Sequence, residues 1–249
     1  MTDSKQRFSD RVADYIKYRP KYPKEIIEIL KENIALQAGD IIADIGAGTG
    51  FLTELFLNNG NETYAVEPNE AMRTACADLY GQYEQLKIIN GSAENTTLPG
   101  HSVDVIVAGQ AFHWFEQKAS KKEFERILCP GGHIVLVWNA RKDDAPFTRG
   151  YEQILIQNIP EYKTLDHRNV DDRAISAFFD PRKMKKTILP NSQVFGWEGF
   201  KGRVLSSSYV PKSGPVHDTI MQEIKILFDQ HEQNGKVIFE YETIIYQSI

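Results

Sequence analysis

Cysteine is nearly missing from this chain: Cys76 and Cys129 stand far apart among 249 residues, with no C-x-x-C spacing. That argues against a disulfide scaffold or a zinc site, so no metal is expected, and it fits a reducing compartment. Long apolar runs are absent as well. No stretch approaches the roughly 20 residues that span a bilayer, and the opening MTDSKQRFSD is polar rather than signal-like. The expectation is a soluble, cytoplasmic protein with no membrane partner. A basic excess is also lacking, with 29 Lys and Arg against 34 Asp and Glu and a formal net charge of −5. Nothing in that balance equips the chain to neutralise phosphates, so nucleic acid is not an expected partner. The local exception, Arg182-Lys183-Met184-Lys185-Lys186, reads as a solvated edge. No repeat, low-complexity tract or clear linker interrupts the chain. One domain is expected over residues 1–249, with an N-terminal arm at 1–22 and an embedded cap at 140–181.

What is present is a glycine turn in a strand–helix setting. Asp40-Ile41-Ile42-Ala43 is short, apolar and β-branched, and Asp44-Ile45-Gly46-Ala47-Gly48-Thr49-Gly50 follows. Phe51, Leu52, Leu55 and Phe56 then fall on one helical face. Such a turn lets a ligand approach the backbone closely. A dinucleotide fingerprint needs G-x-G-x-x-G, and Phe51 fills the slot of its third glycine, which disfavours NAD. Strands are predicted at 62–66, 86–90, 103–108 and 133–139, with a sixth near 185–189 and a last at 237–246. Helices are predicted after Pro23, after Asn69 as N-cap, over 118–128 up to Pro130-Gly131-Gly132, near 151–159, and along Ile220, Ile224, Leu227 and Phe228. Alternating strands and helices mean a doubly wound, mostly parallel α/β sheet.

Several side chains fall at expected strand ends. Glu67 follows the second strand, where a carboxylate can accept ribose hydroxyls. In Ser92-Ala93-Glu94, Glu94 is placed to take an exocyclic amine. His113 lies just past strand four as a candidate general base, or as part of a packed aromatic corner with Trp114. Arg141, just beyond strand five with Asn139 before it, is a candidate partner for an acidic substrate, or a solvated loop residue. Tyr15 and Arg19 lie in a polar arm that either packs as core or covers a cofactor.

Asp44 ahead of these glycines resembles motif I of the class I S-adenosylmethionine (SAM) dependent methyltransferases. The strings FSDRVADYIKYRPKYP, DIGAGTG, AVEPNEAMR, GSAENTTLP, GQAFHWF, RILCPGGHIVLVWNAR, GRVLSSSYVP and YETIIY extend the resemblance over nearly the whole chain. Together they are similar to small-molecule methyltransferase-domain proteins of the trans-aconitate methyltransferase kind. That resemblance implies a Rossmann-like seven-stranded sheet with its last strand antiparallel, and SAM as cofactor. It implies cofactor positions at Asp44, Gly46, Ala47, Gly48, Glu67, Pro68, Ala93, Glu94 and Gln110, with Tyr15 and Arg19 closing over the methionine end. Nucleic-acid amino-methyltransferases carry Pro-Pro-aromatic after strand four, where this chain has Gln110-Ala111-Phe112-His113. A small-molecule acceptor is therefore expected, with a carboxylate ahead of a lipophilic ring. A catalytically idle SAM-binding protein is the reading from a different class.

Overall fold

A computed structural model describes residues 12–142, 144–164 and 172–249. Residues 1–11 of the expected arm, and 143 and 165–171 of the expected cap, lie outside the described residues. The elements in chain order are α1 (Val12–Tyr18), α2 (Glu25–Ile34), β1 (Ile42–Ile45), α3 (Thr53–Asn59), β2 (Thr63–Val66), α4 (Glu70–Tyr80), β3 (Leu86–Ile89) and β4 (Val103–Gly109). Then come a 3₁₀ turn (Phe112–Trp114), α5 (Gln117–Ile127), β5 (Leu128–Arg141), α6 (Pro146–Asn158), a second 3₁₀ turn (Pro160–Thr164) and α7 (Asp172–Phe179). The chain closes with β6 (Met184–Phe195), α8 (Trp197–Leu205), α9 (Pro215–His231) and β7 (Val237–Ser248).

The sheet has seven strands in the order β3-β2-β1-β4-β5-β7-β6. β1 pairs in parallel with β2 and β4, β2 with β3, and β4 with β5. β7 runs against β5, because Ile134 N donates to Ser248 Oγ while Lys142 N donates to Glu240 O. The mostly parallel α/β sheet expected from the sequence is what forms. Its centre is covered on both faces: Ile106 and Ala108 join one apolar cluster and Val105 and Val107 another, as alternation along a strand requires. Asn69 caps α4 as expected, its side chain accepting from Met72 N.

β5 departs from expectation. Pro130-Gly131-Gly132 does not precede the strand but lies within it. Val103 pairs with Leu128 and Val105 with His133, so these residues bulge out of the ladder between the two pairs. A proline has no N–H for a ladder, and Gly131 takes φ +83°, so the bulge is where this tripeptide fits. β6 is also longer than residues 185–189, and α7 and α8 carry no expectation from the sequence.

The chain divides into two compact units. The turn unit comprises residues 21–138, 169–189 and 243–249, and the second comprises 1–20, 139–168 and 190–242. β5, β6 and β7 contribute residues to both. The turn unit holds the parallel strands and the two clusters just described. The second unit has its own aromatic core, in which Phe239 lies 6.0 Å from Phe147 and 5.3 Å from Tyr151, ring centre to ring centre. Residues 190–242 therefore share a compact body with 139–168, which no composition change in the sequence marks.

Candidate functional site

Strand β1 delivers Asp44 into the interior at its C-terminal end, where it is fully buried. Its Oδ2 accepts from Thr53 Oγ1 at 2.6 Å, whereas its buried Oδ1 has no hydrogen-bond partner. Burial pushes this carboxyl up to about 7, the Thr53 hydrogen bonds oppose that shift, and the Glu67 charge adds to it. The chain then turns back: Gly46 N and Ala47 N both donate to Val66 O, at 2.8 and 3.1 Å. A Cβ at Gly46 would lie 2.7 Å from the Ala111 Cβ, so glycine is needed there for close packing. At Gly48, with φ +58°, nothing stands within 4 Å of where a Cβ would be. The crest of the turn is thus open space beside a buried, under-satisfied carboxylate.

Glu67 and Pro68 follow β2. Glu67 Oε2 accepts from Gly48 N at 2.9 Å and Oε1 from Asn69 N at 2.8 Å. Two carboxylate oxygens offer about four acceptor positions, so Glu67 can tie down the turn and still receive hydroxyls. Ala93 is buried in the core, while Glu94 Oε1 accepts from Glu116 N at 2.9 Å ahead of α5. Burial would raise the Glu94 carboxyl, but its hydrogen bonds to Glu116 N, Ser92 and Ser120 bring it below the ordinary value. Gln110 follows β4 with φ 54° while its N donates to Val137 O at 2.9 Å. A non-glycine residue in that region carries strain of order 1–3 kcal/mol, a feature concentrated at ligand sites. His113 stands on the 3₁₀ turn with its ring centre 4.7 Å from that of Trp114, whose side chain is exposed.

Tyr15, Arg19 and Arg141 belong to the second unit. Arg141 is the last residue of β5 rather than a loop residue beyond it, and its side chain is only 8% exposed. It donates to Tyr162 Oη at 2.6 Å and Tyr209 Oη at 3.2 Å, and its Nε lies 3.5 Å from Glu152 Oε2. Arg19 lies over the Tyr15 ring and donates to Ser206 O at 3.1 Å. The structure thus gathers the other eleven sequence-chosen positions, from Asp44 to His113 with the glycine turn, in the turn unit, and these three in the other.

Residues 43–136 match the Methyltransferase domain family. The chain is 33% identical over 149 residues to uncharacterised methyltransferase C25B8.09 of Schizosaccharomyces pombe, covering 59% of this chain and 58% of that one. It is 33% identical over 153 residues to uncharacterised methyltransferase Rv3342 of Mycobacterium tuberculosis, covering 61% and 60%. The chain therefore spans under two thirds of the length of these relatives. In fold it is similar to a protein described as a type II methyltransferase from Anaeromyxobacter dehalogenans, with TM-score 0.64 and 20% identity over 93% of this chain and 97% of that one. A methyltransferase described as belonging to an antibiotic biosynthesis pathway of Anabaena variabilis gives TM-score 0.62 and 20% identity over 94% and 99%. Together these support a SAM-dependent methyltransferase of class I. No helix among the described residues is long and apolar enough to cross a membrane.

Within this methyltransferase domain the sequence reading missed the groups that hold the chosen residues in place. Thr53 is one, nine residues past Asp44 and with no motif to mark it. Glu123 is another: it accepts from Thr96 N at 2.8 Å and Thr96 Oγ1 at 2.5 Å, and from Arg126 Nε at 2.7 Å. The Arg126 hydrogen bond, opposed by burial and reinforced by Thr96, holds its carboxyl down at about 2. That arrangement fixes the loop carrying Ala93 and Glu94 against α5. Tyr22 is a third, since a Cβ on Gly109 would lie 2.5 Å from its hydroxyl oxygen. Only the glycine at 109 hints at so close an approach.

Proposed function

We propose that this protein transfers a methyl group from SAM to a small organic acceptor, with acids as the favoured class. One observation carries the reading: a buried Asp44 oxygen without a partner sits beside a glycine crest with free space above it. A buried acceptor left unmatched costs about 1–3 kcal/mol, which a donor on a bound ligand offsets. Asp44, the backbone of Gly46, Ala47 and Gly48, and Glu67 with Pro68 would hold the cofactor, Glu67 accepting its ribose hydroxyls. Ala93, Glu94 and Gln110 would flank the adenine. SAM supplies an already activated methyl on its sulfonium. The chain's own contribution is then chiefly to hold the acceptor in line, an effect worth up to ~7–11 kcal/mol in favourable cases.

A carboxylate acceptor arrives ionised and needs no base. A phenol or amine would need one, and His113 is the residue in place; its neutral imidazole alone accepts a proton, so that rate would rise with pH. The acid preference rests on the resemblance to trans-aconitate methyltransferase and on the small net negative charge, which suits no polyanionic partner. The test is a screen of metabolite acids, phenols and amines with radiolabelled SAM, beside melting curves with SAM, S-adenosylhomocysteine and NAD. Stabilisation by the first two, together with label transfer to an acid, is the expected result. Stabilisation by NAD alone would overturn the cofactor assignment, and transfer to amines or phenols alone would overturn the acid preference.

A further inference from the structure

The second unit buries more positive charge than it balances. Arg203 is 4% exposed and the Arg141 side chain 8%, and Arg19 is partly buried with its Nε fully enclosed. Among the described residues Glu152 is the carboxylate in an ion pair with any of the three, through Arg141. Three guanidiniums against one carboxylate leave an excess of two positive charges in a desolvated place, which folding alone does not favour.

We infer that Arg19 and Arg203, with Arg141 and Tyr209 beside them, form a binding site for a carboxylate. The donors are positioned rather than loose. Arg203 Nε donates to Tyr241 Oη at 3.0 Å and Nη1 to Ser207 Oγ at 3.2 Å. Tyr241 in turn donates to Gln193 Oε1 at 2.9 Å, and Gln193 Nε2 to Tyr18 O at 3.2 Å. This network leaves the Nη2 of Arg203 uncommitted. Arg19 spends Nη2 on Ser206 O, and its enclosed Nε has no partner. Two buried guanidiniums with spare donors match the paired oxygens of a carboxylate, which accept N–H groups side by side. α1 is brought close by Gly202, where a Cβ would fall 2.2 Å from the Tyr18 ring, so Arg19 is delivered to α8 by backbone packing.

Tyr209 reports the excess charge. Burial opposes its ionisation, but Arg141, Arg203 and Arg19 together outweigh that and bring its hydroxyl down to about 7. Arg19 itself is lowered by burial and by the like charge of Arg203. Tyr15, Tyr151, Tyr162 and Tyr241 are the other titratable hydroxyls of this cluster, and Glu152 its acid. An anion seated among the arginines would take over the role of the phenolate and push Tyr209 back up.

The carboxylate has two sources, an acid acceptor or the methionyl end of the cofactor; only the acceptor source rests on the methyl-transfer reading. The test follows the tyrosinate absorbance band of the full chain across neutral pH, with Tyr209→Phe locating the signal. Citrate is compared with its trimethyl ester, and S-adenosylhomocysteine with methylthioadenosine, which lacks the carboxylate. A rise of the Tyr209 titration with citrate and not its ester supports the site and points to an acid acceptor. A rise with S-adenosylhomocysteine and not methylthioadenosine supports the site and points to the cofactor. Arg203→Lys, which keeps charge but loses the fork, should weaken the effective ligand by roughly 30-fold or more; if that variant fails to fold, the wild-type arms decide alone. A titration unmoved by any carboxylate overturns the proposal and leaves the Tyr209 phenolate as the cluster's own counter-charge. Citrate binding without S-adenosylhomocysteine binding would retain the site while removing the methyl-transfer reading.

Discussion

The turn unit buries an acid with an oxygen to spare, and the second unit buries cations with N–H groups to spare. In the first, Asp44 is driven towards its neutral form, with a carboxyl at about 7, because nothing nearby offers a positive charge. In the second, Tyr209 is driven towards its ionised form because three arginines surround it. Opposite shifts in two separately packed bodies have one physical cause, charge held out of water with too few partners. Structural ion pairs in the same chain are balanced instead: Glu123 has Arg126 and Thr96 on its oxygens. The contrast separates groups that complete the fold from groups that await something else.

Removing the one acid of the second unit should break that balance most severely. Glu152→Gln strands Arg141 without its carboxylate, and loss of one partner of a buried pair costs about 3–5 kcal/mol. Chemical denaturation should register that loss, and the double change Glu152→Gln, Arg141→Met should recover much of it. Full stability in the single variant would mean the cluster is better hydrated than its burial implies.

Asp44→Asn should act in the opposite direction. A carboxyl raised from 3.8 to about 7 contributes stability that is complete below 3.8 and lost as pH rises through 7. The amide removes that loss, so the ligand-free protein should gain on the order of 2–4 kcal/mol at pH ~8 and little at pH ~4. Melting curves across that range check the sign. A gain that did not depend on pH would show that ionisation of Asp44 is not the cause.

Glu123→Ala should cost about 1–3 kcal/mol, since it exposes Thr96 N to a buried site with no acceptor. Its carboxyl, held at about 2, contributes stability above the ordinary value that fades as pH falls through 2. The wild-type advantage over the alanine variant should therefore shrink in acid. The smallest effect belongs to Gln110→Gly, which relieves the positive φ and should return about 1 kcal/mol, partly offset by glycine's extra chain entropy. A loss of stability there would mean the side chain contributes more than its backbone costs.

Much of the turn unit was legible because local rules agree there. Asp44 to Gly50 combine a buried strand with a glycine turn, Asn69 announces a cap, and alternation at 103–108 announces a central strand. The second unit was not, because its body is assembled from stretches far apart in the chain. Arg203 and Tyr209 lie in a segment with no motif, and Arg141 looked like a loop residue because Pro130-Gly131-Gly132 masked where β5 begins and ends. Thr53 and Glu123 escaped for a related reason: each acts through another side chain, and spacing does not encode such a partnership.

The central claim, that the turn and Glu67 hold a SAM-type ligand, is tested most directly by calorimetry with S-adenosylhomocysteine on wild type and Glu67→Ala. Glu67 accepts from Gly48 N at 2.9 Å and is assigned the ribose hydroxyls, so its removal should cost about 1–3 kcal/mol of binding. Wild-type binding weakened by that amount in a variant that still melts cooperatively is the predicted result. Equal affinity of the two proteins, or no binding by the wild type, would contradict it.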